Sequence, residues 1–322
     1  VTLSAHDPRY PLGEVDASGL LDLGDGDRIW WEASGARDGT PAVVLHGGPG
    51  GGCSPGARRF FDPAAYRLIQ VDQRGCGRSL PNVADPTVSL ARNETGQLVA
   101  DLEQLRAHLG VERWLLYGGS WGSTLALAYA QRHPERVRAA VIILPTTGRR
   151  AETDLLTRGL GMIFPEAYAR FLAGVPEAER DGDLAAAYAR LLDSPDPAVR
   201  ERAARDWCDW EAAIVPSSPP YRGFADPDFR MTFARLVTHY WSNGCFVDDD
   251  ELLRGARRLA GIPCTLIAGS LDLGNLAGTP WLLHEAWPGS ELVIVDDAGH
   301  DAVNGGMPGA IVRATDRYRG IA

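Results

Sequence analysis

In Gly118-Gly-Ser-Trp-Gly122 a serine sits between glycines, where an apolar run gives way to a helix-type pattern. The spacing G-x-S-x-G is that of a nucleophile elbow. A strand-to-helix turn this tight strains the serine, and the flanking glycines let the neighbouring backbone pass without a Cβ clash. The result is an exposed hydroxyl beside a helix N-terminus whose free N–H groups can face developing negative charge. An ordinary serine in a glycine-rich turn is the alternative, so the partners decide. A serine hydroxyl is a poor nucleophile until a base takes its proton, and the base needs an orienting carboxylate. The chain order for this elbow is Ser, then Asp or Glu, then His. Asp272 in Gly269-Ser-Leu-Asp272 and His300 in Asp296-Asp-Ala-Gly-His300 supply that order. Each follows a terminated apolar run, so both belong at the sheet edge that carries Ser120. Asp296, Asp297 and Asp301 are rival acids whose closeness to His300 suits loop shaping instead. His284 lies in a helix-like stretch, and His6, His108 and His133 come too early in the chain.

A tetrahedral intermediate also needs two donors for its oxyanion. The N–H of Trp121 is one. The loop His46-Gly-Gly-Pro-Gly50 offers the other, and Gly48 is the choice because its successor Pro49 has no N–H. Losing one such donor typically costs about 10²–10³ in rate. The same glycines are a poor phosphate cradle, since they lack both the Lys-Ser/Thr of a P-loop and the dinucleotide spacing.

These residues must be held by elements that the pattern also predicts. Short runs apolar on both faces, at 42–45, 67–72, 114–117 and 137–144, suit central strands of a covered parallel sheet. The glycines and aspartates at 24–27 make a hairpin turn near the N-terminus. Leu98, Leu102, Leu105 and Leu109 form one stripe of a helix over 95–109. The helix after the elbow ends at His133-Pro134. From about 146 to 255 strand-like runs disappear, and helical patches rich in Ala, Arg, Glu and Asp are broken by prolines, including those within 216–220. Buried-strand runs resume at 263–268 and 291–295. The expected fold class is therefore α/β, a mostly parallel sheet flanked by helices. Residues 1–145 and 256–322 form the core, and 146–255 form an inserted helical cap over Ser120.

Composition sets the bounds. With 322 residues and 45% hydrophobic content the chain can bury a full core, and no apolar run reaches the roughly 20 residues that span a bilayer. A net charge of −10 argues against nucleic-acid or anionic-membrane partners. No signal-peptide pattern is visible in the first residues. Five scattered cysteines without C-x-x-C spacing read as reduced thiols of a cytoplasmic protein. No metal or organic cofactor is implied, and oligomeric state is left open.

Taken together, His46-Gly-Gly-Pro-Gly-Gly-Gly52, Asp72-Gln-Arg-Gly-Cys-Gly-Arg-Ser79 and Gly118-Gly-Ser-Trp-Gly-Ser-Thr-Leu-Ala126 resemble the proline iminopeptidases. These are serine peptidases of the α/β-hydrolase fold that remove an N-terminal proline. The likeness runs from about residue 8 to the C-terminus. It implies an acyl-enzyme on Ser120, with His300 and Asp272 completing the triad. It also implies acidic cap residues that bind the substrate ammonium. Trp207-Cys-Asp-Trp-Glu211 resembles the segment carrying one of them, which points to Glu211, although a glutamate on a helix surface is the other reading. The second acid belongs to a segment resembling Ala-Arg-Ile-Glu-x-His-Tyr, and here Ala234-Arg-Leu-Val-Thr-His-Tyr240 has Val237 in its place. Asp248, Asp249 and Asp250 lie nearby, as a solvated loop or helix cap or as a substitute. Trp210, Tyr240, Trp241 and Phe246 are candidate pocket walls, or equally cap core. Departures from the family pattern also occur at Pro145-Thr-Thr-Gly148, Asn93-Glu-Thr-Gly-Gln97 and Gly269-Ser-Leu-Asp272.

The leading expectation is thus a serine hydrolase acting on an N-terminal prolyl or similar amide. The alternative keeps the fold and triad for a non-peptide metabolite of a biosynthetic pathway, by ester or amide cleavage, acyl transfer or non-hydrolytic acid–base chemistry, because Val237 removes a charge.

Overall fold

The computed structural model describes residues 7–215 and 221–321; His6 and the prolines within 216–220 lie outside the described residues. An eight-stranded sheet runs in the order β1-β2-β4-β3-β5-β6-β7-β8. Its first two strands, β1 (Val15–Asp22) and β2 (Arg28–Gly35), form the antiparallel hairpin expected from the turn at 24–27. Gly24 and Gly26 take positive φ there, which an L side chain resists. β2 pairs antiparallel with β4 (Tyr66–Asp72), and every later pairing is parallel. β3 (Thr40–Leu45), β5 (Trp114–Gly119), β6 (Val137–Ile143), β7 (Cys264–Gly269) and β8 (Ser290–Val295) complete the sheet.

Alternation along the strands explains why the runs are apolar throughout. Val43, Leu45, Ile69, Leu116 and Ile142 face a core shared with α1 (Thr95–His108) and α2 (Trp121–Arg132). Ala42, Val44, Leu68, Leu115 and Val141 face the opposite core, which the C-terminal helix closes through Met307, Ile311 and Tyr318. Both faces are covered, so both sides of the central strands are mostly apolar. The stripe expected on α1 is present: Leu98, Leu102 and Leu105 are buried, while Leu109 stands at the C-cap.

Between β6 and β7 the described chain is helical. It comprises α3 (Arg150–Thr157), α4 (Pro165–Ala173), α5 (Leu184–Leu192), α6 (Pro197–Ile214), α7 (Pro227–Ser242) and α8 (Glu251–Gly255). Proline opens α4, α6 and α7 at their first positions, where its missing N–H costs nothing. Asp196 and Asp226 cap α6 and α7 through their carboxylates. These helices have their own aromatic centre, in which Phe171 stacks on Tyr188 and Trp210 at centroid separations of 4.7 and 5.3 Å. The sheet core is rejoined before β7, because Leu236, Tyr240, Cys245 and Leu252 pack with α2. α9 (Thr279–Ala286) and α10 (Met307–Tyr318) finish the chain. Among the described residues no helix is long and apolar enough to cross a membrane. All five cysteines are unbridged, four of them buried.

Candidate active site

Ser120 joins β5 to α2 with φ 54° and ψ −126°, a positive-φ conformation that a non-glycine residue holds only when its surroundings enforce it. They do so from both sides. The Ser120 N–H donates to Ile143 O at the end of β6 (3.1 Å). Its carbonyl accepts from Ser123 N–H (2.7 Å), Ser123 Oγ (2.6 Å) and Thr146 Oγ1 (2.9 Å). The glycines are required because the turn brings backbones into contact. A Cβ on Gly118 would lie 2.3 Å from Gly122 O, and one on Gly122 would lie 2.0 Å from Leu45 O. Gly122→Ala is therefore expected to push α2 off β3 and cost ~3 kcal/mol or more of stability, read from the urea midpoint. An unchanged midpoint would mean that this contact does not clamp the elbow.

The three expected residues meet. His300 Nε2 is 3.0 Å from Ser120 Oγ, and His300 Nδ1 is 2.8 Å from Asp272 Oδ2. Asp272 Oδ1 also accepts the Gly274 N–H at 2.8 Å, so both carboxylate oxygens are occupied. With an ionised Asp272, only the tautomer protonated on Nδ1 serves both neighbours, leaving Nε2 to accept the serine proton. Burial works against charge on either partner. It is outweighed: His300 is raised above its ordinary value by the charge and hydrogen bond of Asp272, with Glu211 adding to the pull. Asp272 is lowered by His300 and by the Gly274 N–H. The rival acids stand elsewhere. Asp301 accepts from Val303 N–H, Asn304 N–H and Asn304 Nδ2, which shapes its own loop, and Asp296 and Asp297 are exposed.

Both candidate oxyanion donors border the same cavity. Trp121 is the first residue of α2, so its N–H precedes the first intrahelical bond. Gly48 has φ 116°, and a Cβ there would lie 2.7 Å from Gly50 N. The glycine loop is held by the second motif. Asp72 accepts from Cys53 N–H (2.5 Å), from Arg78 N–H and from Arg78 Nε (both 2.9 Å), while Arg74 is buried among Asp25, Asp27 and Asp101.

The cap closes the cavity with Glu152, Thr153 and Leu156 from α3, Glu211 and Ile214 from the end of α6, Val215 beyond it, and Trp241 from α7. Glu211 keeps part of its surface open to this space. Its burial pushes the carboxyl up to about 7, against the opposing pull of His300. Of the expected aromatic walls, Trp241 borders the cavity, Trp210 and Tyr240 are buried in core, and Phe246 is half-buried against it. Trp210 donates its indole N–H to Leu156 O inside the cap (2.9 Å), Tyr240 packs 4.5 Å from the Trp121 ring, and Phe246 lies 5.5 Å from Tyr240. Rings this large gain most by burying their area against other rings. Val237 is fully buried in the cap core and is not among the cavity-lining residues. Nor do the aspartates at 248–250 line the cavity. Asp249 accepts the Arg150 N–H, and Asp250 precedes α8 at positive φ.

Glu152 was not legible in the sequence. It accepts from Thr147 N–H, Gly148 N–H, Thr147 Oγ1 and Thr279 Oγ1, tying the start of the cap to the β6 loop and to α9. A glutamate in a first helical turn carries no mark of that role. Among the described residues no group of three or more His, Cys, Asp or Glu side chains could hold a metal ion.

The chain matches the family model described as alpha/beta hydrolase fold over residues 40–303. A probable proline iminopeptidase of Streptomyces coelicolor is 58% identical over 96% of this chain and 97% of the relative. The proline iminopeptidase of Xylella fastidiosa (strain Temecula1) is 43% identical over 96% of this chain and 98% of its own length. The crystal structure of a proline iminopeptidase from Mycobacterium smegmatis is similar in fold, with a TM-score of 0.58 at 19% identity, covering 94% of this chain and 100% of that one. A match of this extent to curated relatives, on a sheet with this topology, places the chain in the proline iminopeptidase family of α/β hydrolases.

Proposed function

We propose that this protein is a serine hydrolase that removes an N-terminal proline from a short peptide or a related amide. The observation that carries the reading is Glu211 facing the cavity that holds Ser120 and His300, in a chain 58% identical to a relative named for this activity. Ser120 Oγ attacks the prolyl carbonyl while His300 Nε2 takes its proton. The N–H groups of Gly48 and Trp121 receive the oxyanion. As the intermediate collapses, His300 gives the proton to the leaving amine, and the prolyl group remains as an ester on Ser120. Water then attacks with His300 again as base, releasing proline and the free serine. Asp272 holds His300 in the required tautomer and stabilises the imidazolium. Glu211 anchors the substrate ammonium, and Leu156, Ile214, Val215 and Trp241 supply apolar walls for a pyrrolidine ring. The net charge of −10 and the five unbridged thiols favour a small cationic substrate and a cytoplasmic setting.

Glu211→Gln tests the amine subsite. It is expected to raise KM for a prolyl arylamide by about 10–100-fold, the worth of one charge-assisted contact. Hydrolysis of an uncharged aryl ester should change little. The pH dependence follows from the Glu211 carboxyl, which burial pushes up to about 7. A protonated Glu211 cannot pair with an ammonium, so KM should fall as pH rises through that value in the parent enzyme and stay flat in the variant. Equal losses on both substrates would remove Glu211 from the subsite. Ester cleavage with no prolyl cleavage by the parent enzyme would favour the non-peptide alternative.

A further inference from the structure

The two oxyanion donors come from different segments, the loop after β3 and the start of α2. One buried side chain bridges them. Gln73, the first residue beyond β4, donates from Nε2 to His46 O (3.0 Å) and accepts at Oε1 from the Trp121 indole N–H (2.9 Å). A carbonyl can only accept and an indole N–H can only donate, so this pair of partners fixes the amide's orientation. The main-chain N–H of Gln73 also donates to His46 Nε2 (3.0 Å), while the other ring nitrogen, Nδ1, donates to Gly47 O (2.9 Å). Burial lowers the proton affinity of His46, which keeps Nε2 free to accept.

We infer that Gln73 is a positioning residue that sets the separation of the Gly48 and Trp121 N–H groups, by tying the His46 carbonyl to the Trp121 indole across the sheet edge. The His46 carbonyl defines the peptide plane entering Gly47, and the indole fixes the residue whose own N–H is the second donor. A neutral amide donates at one end and accepts at the other, which is what these two partners require. Leucine fills the same space with neither bond. Glutamate has the same shape and accepts from the indole, but it can donate to His46 O only when protonated.

This inference rests on the serine-hydrolase reading, and the test separates the two. Gln73→Leu and Gln73→Glu are compared with the parent enzyme in prolyl arylamide turnover, in the rate of fluorophosphonate labelling at Ser120, and in competitive inhibition by free proline. For Gln73→Leu, kcat and labelling rate should both fall by about 10–100-fold, because the phosphonyl oxygen occupies the same hole. KM and proline inhibition should stay within about threefold, since neither depends on the oxyanion. Gln73→Glu should regain activity relative to the parent enzyme as pH falls and its buried carboxyl takes a proton. That relative recovery is a signature that loose packing alone would not give. If Gln73→Leu does not fold, Gln73→Glu decides by its pH profile. Parent-level labelling and kcat in a folded Gln73→Leu, or a Gln73→Glu profile parallel to that of the parent, would overturn the inference. A parent enzyme that never labels at Ser120 would instead overturn the serine-hydrolase reading beneath it.

Discussion

Ser120→Ala is expected to remove prolyl arylamide turnover almost completely, with kcat lower by on the order of 10⁵–10⁶. The substitution deletes one oxygen and keeps the Cβ, so the residue at φ 54° stays as strained as before. The clamps on the elbow are main-chain bonds to Ile143 O and from Ser123 and Thr146, and alanine preserves them all. Stability should consequently change little while activity vanishes. Among single changes in the cavity, this one best separates chemistry from folding. The measurement is turnover with paired thermal unfolding, backed by fluorophosphonate labelling to exclude trace parent enzyme. What activity remains would come from the oxyanion donors and from binding. A variant that kept more than about one per cent of parent turnover would rule out a serine-linked intermediate.

Much of this site was readable from one chain because its chemistry imposes local steric rules. The tight turn at Ser120 demands glycines at 118 and 122, and the contacts of 2.3 and 2.0 Å that a Cβ would make show why. Asp272 and His300 follow β7 and β8, and parallel strands deliver their carboxyl ends to one edge. Periodicity likewise gave α1 and the buried strands, since sheet faces covered on both sides leave no polar alternation. The cap was harder. Its helices present Glu211 and Trp241 to the cavity while Trp210, Tyr240 and Phe246 turn into cores, and composition does not say which way a ring points. Glu152 and Gln73 escaped for another reason. Each acts through hydrogen bonds to distant segments, Glu152 with Thr279 and Gln73 with His46 and Trp121, and no spacing within the chain encodes those meetings.

Asp272→Asn should lower kcat by about 10⁴ while leaving the fold intact, because it reverses the tautomer of His300. In the parent enzyme Oδ1 accepts the Gly274 N–H and Oδ2 accepts from His300 Nδ1. An asparagine has one oxygen for these two donors. The Gly274 N–H is a fixed main-chain donor and cannot become an acceptor, so it claims the amide oxygen. The amide NH₂ then faces Nδ1, which must accept, and the imidazole proton moves to Nε2. There it points at Ser120 Oγ and can no longer take the serine proton. The same change has a signed effect on pH dependence. Asp272 is the main influence raising His300, and burial pulls the other way, so without the carboxylate His300 should bind its proton less tightly. With an uncharged aryl ester, whose binding does not depend on Glu211, the acidic limb of kcat/KM reports loss of the neutral base and should therefore shift to lower pH even as the plateau collapses. A kcat within about tenfold of the parent, or an acidic limb that stays in place, would show that the 2.8 Å contact does not govern the base. The position of that limb is the more discriminating readout, since a general loosening of the loop would lower kcat without moving the limb in a defined direction.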